Sequence, residues 1–156
     1  MSRYAEGTNV SVEKSLAEIQ STLRRYGAVG FGYAECEGAA RVEFKAHDRY
    51  VRFVLTLPER SDPEFARTPG RQLRRSSDAT TAAWEAACRQ RWRALALCIK
   101  AKLEAVQSEI STFEDEFLAN TVMPGDKTVA EMARSAVAEA YASGKVTSMI
   151  AIGFNG

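Results

Sequence analysis

The sequence predicts an α+β fold: an N-terminal helix, a three-stranded antiparallel β-meander, a long central helix and short C-terminal helices. Three observations carry that expectation. Apolar residues recur at helical spacing over 12–26, alternate strictly over 41–46 and 50–57, and return to helical spacing, with no Gly or Pro, from about Ala79 to Ile110. At 156 residues, with 46% apolar and 26% charged side chains, the chain reads as one domain, 1–156, able to bury a core.

The elements follow in order. Ser11 is placed to cap a helix whose stripe is Val12, Leu16, Ile19, Leu23 and Tyr26, and Gly27 stops it. Gly30 to Tyr33 alternates small and aromatic residues, and Cys36-Glu37-Gly38 reads as a turn. Strands over 41–46 and 50–57 are joined at His47-Asp48 and closed by Pro58, which cannot donate to a ladder. Their inner set packs on the first helix, and the opposite face shows Arg41, Lys45, Arg52 and Thr56. Residues 58–78 hold three prolines and five arginines and read as a mobile connection inside the domain.

The central helix carries the stripe Trp84, Cys88, Trp92, Leu95, Ile99, Leu103, Val106 and Ile110. Arg89, Arg93 and Lys100 lie on one flank of it, Arg91 and Lys102 on the other. Ser111 to Glu114 has the form of a capping box and opens a short acidic helix expected to bury Phe117 and Leu118. Met123 to Asp126 is a turn. Thr128 to Glu131 is a second box, opening a helix that ends near Gly144. Met149 to Phe154 is an apolar tail, read as a last strand or an interface segment.

Composition excludes several classes. No run of 18 apolar residues offers a membrane span, and MSRYAEGTNV has no apolar core of a signal peptide. Three cysteines without a CxxC pair, Cys36, Cys88 and Cys98, read as packing residues in a reducing cytoplasm. A single histidine, His47, leaves little for zinc, and it reads as a surface residue at a turn. No nucleophile elbow, P-loop or HExxH motif occurs. Glu114, Asp115 and Glu116 point in different directions from one helix and compensate its dipole. The expectation is a non-enzymatic protein without a cofactor.

Charge is segregated along the chain. Residues 59–102 carry 10 basic and 5 acidic side chains, a net of +5, whereas 103–156 carry 3 basic and 8 acidic, a net of −5. Arginine outnumbers lysine eight to two in the basic third, and its planar fork suits phosphate. That points to a nucleic-acid partner, with Arg71, Arg74, Arg75, Arg89, Arg93 and Lys100 on the backbone and Arg41, Lys45, Arg49 and Arg52 on the hairpin as an opposite wall. Tyr50, Phe65 and Trp84 are candidates for base stacking.

The element order, helix then three strands then a basic connection and a long cation-edged helix over about 12–110, resembles the core of single-strand annealing proteins, the phage recombinases and their eukaryotic relative. The stretches YAEGTNVSVEKSLAEIQSTLRRYGA and RQRWRALALCIKAKLEAV are similar to small uncharacterised phage and prophage proteins. The first resemblance implies assembly into a homo-oligomeric ring or filament, with single-stranded DNA, or RNA, in a basic groove and its bases open for pairing without nucleotide hydrolysis. The rival reading is a phage-encoded protein-binding module. It would set the basic loop or the apolar tail against an acidic surface of a host enzyme or defence complex.

Overall fold

The computed structural model describes residues 5–146 and 148. The Ser11 hydroxyl accepts from the Lys14 amide at 3.2 Å and starts α1 (Val12–Arg25). Glu13 in its first turn and Arg24 and Arg25 in its last complement the helix dipole. Ile19 and Leu23 are enclosed in the core, with Val12, Leu16 and Tyr26 packed at its margin, as the stripe predicts.

Three antiparallel strands, β1 (Val29–Cys36), β2 (Ala39–Ala46) and β3 (Arg49–Thr56), lie side by side in chain order. His47 and Asp48 have φ of 49° and 58°, the primed two-residue turn whose twist matches a hairpin. His47 also stacks on Phe113, with centroids 4.5 Å apart. Period-two alternation buries Ala40, Val42, Phe44 and Ala46 of β2 and Val51 and Phe53 of β3, and Leu57 just beyond β3 joins them. β1 is the exposed edge, with a bulge at Gly30 where its register against β2 shifts.

Residues 58–78, expected to be mobile, are instead folded back on themselves. A one-turn helix, α2 (Pro63–Ala66), buries Phe65, and the segment after it closes into a small arm. Ser76 then caps α3 (Ser77–Gln107), 31 residues and roughly 46 Å long. Trp92, Leu95, Ile99 and Leu103 press onto the inner sheet face. The helix ends sooner than its apolar spacing suggests. Glu109 turns into the left-handed region at φ 58°, and Ile110 is left 81% exposed.

Thr112, rather than Ser111, caps α4 (Phe113–Phe117) by accepting from the Asp115 amide. Phe117 is fully buried, edge-on to Phe44 and Phe53. Leu118, expected to be buried beside it, opens a 3-10 turn and is 54% exposed. A short hairpin, β4 (Val122–Met123) with β5 (Lys127–Thr128), leads into α5 (Val129–Ser143). The Thr128–Glu131 capping box is formed at its start, and Gly144 ends it at φ 68°. Cys36 and Cys98, read as packing residues, are exposed, because Cys36 ends the edge strand and Cys98 points off the solvent side of α3. The apolar tail, Met149 to Phe154, lies outside the described residues. Among the described residues no helix is long and apolar enough to cross a membrane.

Candidate nucleic-acid interface

The ten cations named by the sequence do not converge on one groove. Helix α3 packs on the inner sheet face, whereas Arg41, Lys45 and Arg52 alternate onto the outer one, so the hairpin and the helix cannot form facing walls. Arg49 has the inner parity but sits exposed at the turn, its guanidinium 3.3 Å from the Asp48 carbonyl oxygen.

The outer face is an array of cross-strand rows. Val29, Lys45 and Tyr50 form the first, Gly32, Glu43 and Arg52 the second, Ala34, Arg41 and Val54 the third. Arg52 is only 9% exposed and fully engaged. It donates from Nε to Glu43 Oε1 at 2.5 Å, from Nη1 to the Asp126 carbonyl at 2.9 Å, and from Nη2 to the Asp126 carboxylate. Arg41 donates from Nε to the same Glu43 oxygen at 2.7 Å. Burial alone would raise the Glu43 carboxyl, but the hydrogen bonds from Arg52 and Arg41 outweigh it and hold it below its ordinary value. The Arg52 hydrogen bond likewise lowers Asp126. Arg52 is therefore a structural clamp fastening the β4–β5 hairpin to β3, assisted by Asn120 Nδ2 donating to the Arg52 carbonyl at 3.1 Å. Tyr50 remains in the open, and Lys45 lies half-buried beside it with Nζ 5.5 Å from the Tyr50 ring centroid.

The flank of α3 read as Arg89, Arg93 and Lys100 is where α1 docks. Glu18 of α1 takes Arg93 as an ion pair, and the Tyr26 hydroxyl donates to Glu104 at 2.5 Å. That hydrogen bond raises the Tyr26 phenol. The Arg89 side chain is half-buried, and its Nε has no hydrogen-bond partner among the described residues. Lys100 alone of the three faces water. With Arg91, which the sequence put on the other flank, it rims a shallow groove of about 700 Å³ over Ala94, Leu97 and Ala101.

The arginines of the loop behave differently. Residues 67–75 form an arm closed by a bridge between Arg67 and Arg74. The Thr68 amide donates to the Leu73 carbonyl and the Arg75 amide to the Ala66 carbonyl, both at 2.8 Å. Arg67 Nη1 donates to the Gln72 carbonyl at 2.9 Å, and Arg75 Nη1 to the Phe65 carbonyl at 3.2 Å. Arg71 and Arg74 are exposed, and neither has a carboxylate within ion-pair distance among the described residues. Arg60 ties the base of the arm to α3 through Thr81 and Ser77.

Of the candidate stacking rings, Phe65 is buried beneath the arm. Trp84 donates from Nε1 to the Pro58 carbonyl at 2.8 Å and lines a cleft of about 730 Å³ with Glu35, Glu37 and Glu59. Carboxylates there repel a phosphate chain. Cys88, in the same cleft, has its thiol pushed up by burial and then by Glu35 and Glu85, which disfavours the thiolate. Tyr50, 61% exposed, is the candidate ring the fold leaves available. No known protein family, curated protein or solved structure matches this chain, and the geometry alone carries the functional argument.

Proposed function

We propose that the chain binds single-stranded nucleic acid, DNA first, and that this binding serves strand annealing without nucleotide hydrolysis. The observation that carries the reading is the arm at 67–75. It sets four arginines in nine residues, holds two of them in water without a counter-charge among the described residues, and fixes its backbone by its own hydrogen bonds. An arm ordered in advance loses less entropy on meeting a phosphate chain than a mobile loop would. Contacts of this kind fix a backbone without themselves reading bases. Assembly of several copies would string such arms along one strand.

Fluorescence anisotropy of a labelled 30-nucleotide strand, titrated at several salt concentrations, tests this. A single strand contributes a salt slope of about −0.7 per phosphate contact, so Arg71→Ala with Arg74→Ala should flatten the slope by about 1.4. Over a fourfold rise in salt the wild type should then lose roughly sevenfold more affinity than the variant. No binding by the wild type at low salt would refute the reading and leave the arm to an acidic protein surface.

A further inference from the structure

On the outer face of the sheet, β1 presents Gly32 and Ala34 beside Glu43 and Arg41, so a lane almost without side chains runs along its edge. Gly32 is not required by the fold. Its backbone is outside the left-handed region, and a Cβ built on it meets nothing within 4 Å. Glycine weakens a strand, and an interior strand glycine often marks a bulge, a bend or a site where a ligand approaches the backbone. Hollows of about 180 Å³ and 360 Å³ flank this position, the first lined by Gly30, Gly32, Lys45 and Tyr50, the second by Gly32, Ala34 and Arg41. Glu43 borders both.

The chemistry of the lane is specific. Glu43 Oε1 takes all the hydrogen bonds from Arg41 and Arg52, and Oε2 has no donor among the described residues. A carboxylate in the middle of the lane repels phosphate but accepts from an exocyclic amino group. Tyr50 supplies an exposed ring at one end, and the Lys45 ammonium beside it is in reach of a phosphate.

Resting on the nucleic-acid reading, we infer that the Gly32 lane seats one nucleobase, stacked against Tyr50 and presenting an amino edge to Glu43. Cytosine and adenine fit this pattern; thymine and uracil, which have no amino group, do not. Each protomer would hold one base and leave its neighbours free to pair.

The full-length chain, titrated at one fixed salt concentration with labelled 30-nucleotide strands of dC, dA and dT, gives the test. The wild type should bind dC and dA at least fivefold tighter than dT. Gly32→Val fills the lane while favouring the strand. It should melt no lower than wild type, bind dC and dA at least threefold more weakly, and lose the preference over dT. Equal binding of the three strands by the wild type, or a Gly32→Val protein that binds them as the wild type does, would overturn the lane while leaving the arm intact. Binding of no strand by the wild type would overturn both.

Discussion

Arg52→Met separates a structural arginine from a binding one. Methionine keeps the length and much of the apolar stem of Arg52 and removes its guanidinium. Three side-chain hydrogen bonds are lost, one to Glu43 and two to Asp126, and with them the link between β3 and the β4–β5 hairpin. Hydrogen bonds to charged groups contribute roughly 1.5–3 kcal/mol when enclosed. Here both partners are substantially exposed, Asp126 the more so, and exposed ion pairs contribute roughly 0.2–1 kcal/mol. A combined loss of about 1–3 kcal/mol follows, which for a chain of this size lowers the melting temperature by roughly 2–12 °C. Circular dichroism melts at neutral pH measure it. The effect has a pH signature. Glu43 and Asp126 have lowered pKa values in the fold, so their contribution is present above the ordinary carboxylate range and disappears as pH falls through the lower folded values. The gap between wild type and Arg52→Met should therefore be full at pH 7 and shrink at pH 3. A variant melting with wild type at pH 7, or a gap unchanged at pH 3, would show that the clamp does not hold the hairpin.

Two further perturbations test the scaffold. Trp92→Ala removes the largest fully buried side chain, at the centre of the seam between α3 and the sheet; a cost of about 3–5 kcal/mol should appear as a drop in the chemical-denaturation midpoint. Thr128→Ala deletes the hydroxyl that caps α5 by accepting from the Glu131 amide, and keeps the Thr128 amide that donates to the Glu131 carboxylate. It should cost about 1 kcal/mol, read as faster amide exchange in the first turn of α5 with the sheet amides unaffected.

What the sequence made legible is what local chemistry decides. Ser11, Thr128 and Gly144 were readable as caps because a cap needs one side chain or one permissive backbone at one position. The His47-Asp48 hairpin and the alternation of β2 and β3 were readable because a strand half-buried on one face must repeat every two residues. Apolar spacing alone misplaced the end of α3. Ile110 keeps the stripe's period, but Glu109 has already left the helix, and nothing in a hydrophobic pattern records a single left-handed residue. Leu118 failed for a different reason: one residue past Phe117, it lies about 100° round the helix from the face that Phe113 and Phe117 share.

The candidate site was less legible, because a count of charges along the chain carries no information about who faces whom. Arg52 and Arg93 are as basic as Arg71 and Arg74, yet the fold spends the first on Asp126, 74 positions away, and the second on Glu18, 75 positions away. Glu18 lies outside the basic third, so the +5 of residues 59–102 overstates what a partner would feel on the helix and understates how far the arm dominates. The arm escapes this cancellation for a reason that is in the sequence. No carboxylate stands between Arg67 and Asp78, and a short segment closed on its own backbone keeps distant acids away. A run of arginines free of acids, inside a segment with enough turn residues to close on itself, is thus a stronger pointer to an anion site than the same number spread along a helix. Helical arginines at three- and four-residue spacing are available to any neighbouring helix, and here α1 takes that flank.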